Sequence, residues 1–144
     1  MKRFLLIAVL GLSCTLAKAQ TLNVSAGIEK TAVRCLYGGE LTFETKRRWG
    51  VGLFYQTAFL RETKEARDSD DTFYGLLCQV PLAKTEKIDF FATARLGMVN
   101  RDYFVAVPGL ETRIRTWRKL STVFSMGYRV GYPAIGFKLS HPIY

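Results

Sequence analysis

From Thr21 to Ser140 the apolar residues return at every second position, segment after segment, and nowhere does the spacing of three and four that marks a helix persist. A period of two is the signature of strands with two unlike faces. The segments 21–29, 35–45, 49–59, 72–82, 88–99, 103–116, 120–130 and 132–140 each read this way. In the first, Leu22, Val24, Ala26 and Ile28 oppose Asn23, Ser25, Gly27 and Glu29; in the last, Ile135, Phe137 and Leu139 oppose Gly136, Lys138 and Ser140. The third is the least clean, with Phe54 on its otherwise small and polar face. The pattern predicts about eight strands of roughly 9 to 11 residues, the length of a tilted strand that crosses a bilayer. Pro81 is expected to end the fourth strand and Pro108 to mark a bulge in the sixth.

Alternation alone does not separate a soluble sandwich from a membrane barrel. The charges do. Those placed within strands all fall on one face: Glu29, Glu40, Glu44, Asp89 and Glu111 with Arg95, Arg113, Arg115, Arg129 and Lys138. The two signs balance, and the same face carries Gly27, Gly38, Gly50, Gly52, Gly75, Gly97, Gly109, Gly127 and Gly136. Glycine and self-neutralising charge suit the cramped inside of a narrow barrel better than a wet surface. The other face is bulky and free of these charges, as lipid requires. The predicted fold is all-β: a closed, antiparallel, up-and-down transmembrane β-barrel, with Arg95, Arg113 and Arg129 forking onto carboxylates such as Glu40, Glu44 and Glu111 inside it.

Ahead of the strands, Lys2 and Arg3 precede an apolar run from Phe4 to Leu12 and then Ala17-Lys18-Ala19. This three-part layout predicts a secretory signal peptide over 1–19 and a barrel domain over 20–144, since the apolar run is about half of what a spanning helix needs. Without Lys2, Arg3 and Lys18 the remaining chain keeps a net charge of +6. Export argues against nucleic acid as the partner of this basic chain, and leaves anionic lipid. Cys35 and Cys78 fall on non-adjacent strands, either as a disulfide or as two small outward residues.

With the N-terminus in the periplasm, the turns 46–48, 83–87 and 117–119 lie on that side and are rich in Lys and Arg, and alternate connections on the outer side should be longer. The longest connection, 61–71, falls outside and is acidic. Trp49 and Trp117 stand near the inner turns, and Tyr37, Tyr74, Tyr103, Tyr128 and Tyr132 near the outer ends, as in an aromatic girdle.

On this architecture the chain resembles the small eight-stranded outer-membrane barrels of the OmpX and OmpA-transmembrane-domain kind. The resemblance implies residence in the cell outer membrane among its lipids, and insertion by the barrel-assembly machinery, which reads a terminal strand closing on an aromatic residue. Gly136-Phe137-Lys138-Leu139 looks like such an ending; Tyr144 closes the signal, or the tail after Leu139 is an extension whose Pro142 opposes a regular last strand. The lipoprotein pattern leaves a second reading of the leader, with lipidation at Cys14, although Gly11 stands where that pattern favours Leu. Lipid-modifying enzymes with this architecture need a His and Ser in reach of each other; His141 adjoins Ser140, and neighbours on a strand face opposite ways. No cofactor or metal site is expected from the motifs. The expected role is structural or interactive, with a plugged lumen; a narrow solute or ion conduit, or an accessory barrel of a secretion apparatus, is the alternative.

Overall fold

A computed structural model describes residues 19–32, 34–61, 72–129 and 131–143. The alternating segments form β1 (Ala19–Thr31), β2 (Arg34–Thr45), β3 (Gly50–Arg61), β4 (Thr72–Lys84), β5 (Ile88–Val99), β6 (Tyr103–Trp117), β7 (Leu120–Arg129) and β8 (Tyr132–Pro142). Each pairs antiparallel with its sequence neighbours, and β8 returns to β1 from Thr31↔Ala134 to Asn23↔Pro142, closing the barrel. Closure leaves no sheet edge, so the ladder donors and acceptors are paired within the wall. A strand of 12 residues, as in β2, β3 and β5, spans about 28 Å along the axis at a rise of about 3.3 Å and a tilt of about 45°.

Several strands run further than the sequence suggests. β4 continues through Pro81 to Lys84 because the register shifts between Pro81 and Ala83, so a bulge absorbs the proline where a strand end was expected. Pro108 makes no bulge. It pairs with Ala94 in unbroken register, and the ladder to β7 starts one residue later at Gly109, so the residue lacking an N–H stands where that ladder ends. The irregularity in β6 lies instead between Arg115 and Trp117. At Pro142 the ladder to β7 has already finished at Ser140, and β8 stays paired to β1. β1 takes in Ala19, the last residue of the predicted leader; its pair with Thr45 is set apart by a register shift, so cleavage before Gln20 would remove only an end rung. The leader itself and the acidic segment 62–71 lie outside the described residues. Long outer connections were expected throughout, yet 100–102 and 130–131 are as short as the inner turns, because the alternation persists almost to the tips of β5, β6, β7 and β8.

The faces divide cleanly. On β8, Ala134, Lys138 and Ser140 are buried while Ile135, Phe137 and Leu139 are exposed. Leu53, Leu76, Phe90, Leu110 and Phe124 are exposed too, whereas Glu111 and Arg113 are buried, so these apolar side chains coat the wall and the strand charges turn inward. Large apolar side chains exposed on every strand of the wall are what a lipid neighbour requires and what soluble monomers avoid. Phe124 and Phe137, direct partners across β7 and β8, meet edge to face on this skin at 5.4 Å.

The narrow bore depends on glycine at the inner face. Gly75 and Gly97 are cross-strand partners, and a Cβ on either would stand 2.1–2.2 Å from the neighbouring strand's carbonyl oxygen. Phe54, opposite Gly75 on β3, lays its ring over this bare patch and meets Phe73 edge to face at 4.6 Å. An aromatic covering cross-strand glycines is a recurrent way to hold strong curvature. Phe54 and Phe73 join Leu77 and Val107, with Val99 and Val105 beside them, in an apolar cluster inside the barrel. The interior is therefore only partly ionic: this cluster lies on β3 to β6 toward the end bearing segment 62–71, and the charges occupy the rest.

Candidate functional site in the lumen

Inward positions on six strands bring the strand charges together in two groups. In the central one, Arg95 donates from Nη1 to Glu29 at 2.5 Å, and its Nη2 lies 2.9 Å from Glu40 and 3.5 Å from Glu111. Lys138 donates to Glu40 at 2.7 Å and also to Glu111. Arg129 pairs with Glu29 at 3.9 Å, its place near the outer end of β7 setting it beside that carboxylate. Three carboxylates thus face three cations, all with side chains at most 9% exposed. Burial without pairing would be costly, and mutual neutralisation removes that cost.

The second group lies toward the short turns. Arg113 donates to Glu44 at 2.5 Å, and Asp89 accepts from Arg48 and, at 3.1 Å, from Arg115. Arg115 joins the network from the mouth of the lumen. Its side chain is 40% exposed, at the rim, where it also donates to the Glu86 carbonyl at 2.9 Å. Arg115 is the last regular rung of β6, paired with Ser121 just before the register shift.

Sequence reasoning missed three polar partners. Gln56 donates to Glu29 at 3.2 Å, Gln79 donates to Glu44 at 2.7 Å, and Arg48 reaches Asp89 from the turn after β2. Both glutamines sit on the charge-bearing face of their strands, which was the available signal. The inner rings were missed as well: Arg129 lies 4.4 Å over Phe73, Arg113 4.8 Å over Phe91, and Arg95 5.9 Å from Phe54. Each arginine so has an aromatic face as well as a carboxylate.

Little space remains between these groups. The cavity beside Glu29, Arg95, Val107 and Ser125 is about 10 Å³, room for about one water. The aromatic residues expected at the girdle face outward: Trp49, Trp117, Tyr37, Tyr103, Tyr128 and Tyr132 are exposed and Tyr74 half-buried, with Tyr55 exposed beside it. Cys35 and Cys78 are both free thiols, on β2 and β4. Ser140 is buried in the lumen and His141 exposed on the opposite face. Among the described residues no group of three His, Cys, Asp or Glu is placed to hold a metal.

An up-and-down antiparallel barrel of eight strands, with its charges within and an apolar skin without, is the architecture of the transmembrane β-barrels of outer membranes. Solved structures of that kind superpose on it. The N-terminal β-barrel domain of OprF from Pseudomonas aeruginosa matches with a TM-score of 0.68 at 12% identity, over 87% of this chain and 98% of that one. The outer membrane protein Ail of Yersinia pestis, in a phospholipid nanodisc, matches at 0.61 and 11% identity, over 85% and 99%. A de novo designed transmembrane β-barrel matches at 0.69 and 11% identity, over 88% and 98%. No family profile and no curated protein matches the sequence. The likeness is one of fold.

Proposed function

We propose that the protein is a non-enzymatic barrel of the cell outer membrane that acts through its rims, as a structural or interaction protein of the envelope. The observation that carries this reading is the filling of the lumen: among the described residues, ion pairs and an apolar cluster occupy it, and the cavity beside the central pairs is about 10 Å³. An eight-stranded barrel is just wide enough for its own side chains, so a narrow conduit fits the geometry less well. The apolar skin and outward aromatics supply the lipid contact, the leader over 1–19 the export, and the terminal Phe137 and Leu139 region the recognition by the barrel-assembly machinery. OprF and Ail, with the same fold, are named as barrel and outer membrane proteins, which favours that location.

The test has three parts. Outer-membrane fractionation with a heat-dependent gel shift reads location and closure together; a band confined to the soluble fraction refutes the membrane reading. Planar bilayers are expected to stay silent for the native chain, and for Arg95→Ala and Arg113→Ala; stepwise conductance that rises in these variants establishes the conduit instead. Replacing residues 62–71 with a glycine-serine linker is expected to weaken envelope integrity or partner capture, and an unchanged envelope removes that segment from the interaction role.

A further inference from the structure

At the end carrying the short turns, the lumen opens into a mouth of about 330 Å³, at the lower end of the roughly 300–1,000 Å³ of small-molecule sites. Its wall holds Lys46, Arg48, Arg113, Arg115, Arg118 and Lys119 against two carboxylates, Glu44 and Asp89. Both carboxylates are already engaged, Glu44 by Arg113 and Gln79, Asp89 by Arg48 and Arg115. Lys46 and Lys119 have no carboxylate partner among the described residues, and Arg118 lies 5.9 Å from the Trp117 ring. The mouth therefore keeps a surplus of four positive charges inside a concave wall, where field lines concentrate.

Its floor is made of donors. Asn23, Ser121 and Ser140 line it with 4%, 9% and 2% exposure. The Asn23 amide nitrogen and Arg113 Nε are buried there and donate to nothing. A buried amide without an acceptor is disfavoured unless something supplies one.

We propose that this mouth is a binding site for a phosphate-type oxyanion, carried by a soluble phosphate or by a lipid headgroup. Such a group brings the missing acceptors to Asn23 and Arg113 and more than one negative charge to the surplus, and guanidinium forks match its geometry. A single carboxylate would offset less of the charge. The site is separate from the central ion group, and it stands whether or not the rim-based role above is correct.

The barrel folded in a phosphate-free glucoside detergent is titrated with inorganic phosphate, by calorimetry and by the amide resonances of Asn23, Ser121 and Ser140. Saturable binding that moves these resonances is expected. Lys46→Gln with Lys119→Gln should weaken it by about tenfold or more, since two of the surplus charges go, while Arg101→Gln, in a turn at the opposite end, leaves it unchanged. Lys46 and Lys119 are exposed turn residues, so the double variant keeps the barrel, checked by the heat-dependent gel shift. Repeating the titration in nanodiscs separates the sources. Loss of binding with phosphatidic acid but not with phosphatidylcholine assigns a headgroup; equal binding in both assigns a soluble anion. Heats that never saturate, or equal weakening by the Arg101 change, overturn the proposal.

Discussion

Replacing Arg95 with methionine removes the one side chain that lies between Glu29, Glu40 and Glu111, at 2.5, 2.9 and 3.5 Å. Before the change three carboxylates face Arg95, Arg129 and Lys138; afterwards they face two cations, and one negative charge is left over in a site no more than 6% exposed. Glu29 suffers most, retaining Arg129 at 3.9 Å and the Gln56 amide at 3.2 Å. Stranding a buried charge in this way costs about 3–5 kcal/mol, a large share of a total stability on the order of 5–15 kcal/mol. Adding Glu29→Gln restores neutrality, so the double variant should recover a substantial part of that loss, with a coupling of about 2 kcal/mol or more between the two sites. Urea unfolding of the barrel in lipid vesicles, followed by the heat-dependent gel shift, measures all four corners of the cycle. A loss below about 1 kcal/mol for Arg95→Met, or losses that merely add, would refute the view that mutual neutralisation holds the lumen together.

Three further outcomes are expected. Leu53→Arg, at an exposed wall position flanked by Leu41 and Leu76, should destabilise the barrel in vesicles by about 2–4 kcal/mol; a neutral effect in lipid would mean the skin does not meet hydrocarbon. Gly97→Val should abolish or strongly destabilise closure, since its Cβ would stand 2.2 Å from the Tyr74 carbonyl oxygen, and an unchanged gel shift would refute the tight curvature. Arg118→Gly should raise stability by up to about 1 kcal/mol, because φ is 47° there and glycine adopts that region freely; denaturant midpoints decide it.

Strand number, antiparallel order and the sorting of faces were legible because alternation is a local property that survives along the whole chain. Phe54, the misfit on the third strand, was legible as inward but not as the cover of Gly75 and Gly97, which requires knowing the register across three strands. The same holds for the ion pairs. Glu29 and Arg95 are 66 residues apart on strands that are not neighbours, and which carboxylate meets which cation depends on the stagger of the closed wall. The sequence set Arg95, Arg113 and Arg129 against carboxylates such as Glu40, Glu44 and Glu111 without assigning pairs, and gave no sign of Lys138 bridging Glu40 and Glu111. Gln56 and Gln79 gave no sign of their partners, since an uncharged amide satisfies any carboxylate it reaches. The extra lengths of β4 and β8 hid behind prolines whose missing donor a bulge or a finished ladder accommodates.

The apolar cluster of Phe54, Phe73, Leu77 and Val107 lies to one side of the ionic group, so the bore is corked at one end and cupped at the other. The two openings of such a barrel are therefore unlike, one lined by aromatic and aliphatic side chains and the other by basic ones, so a solute meets different chemistry from each side.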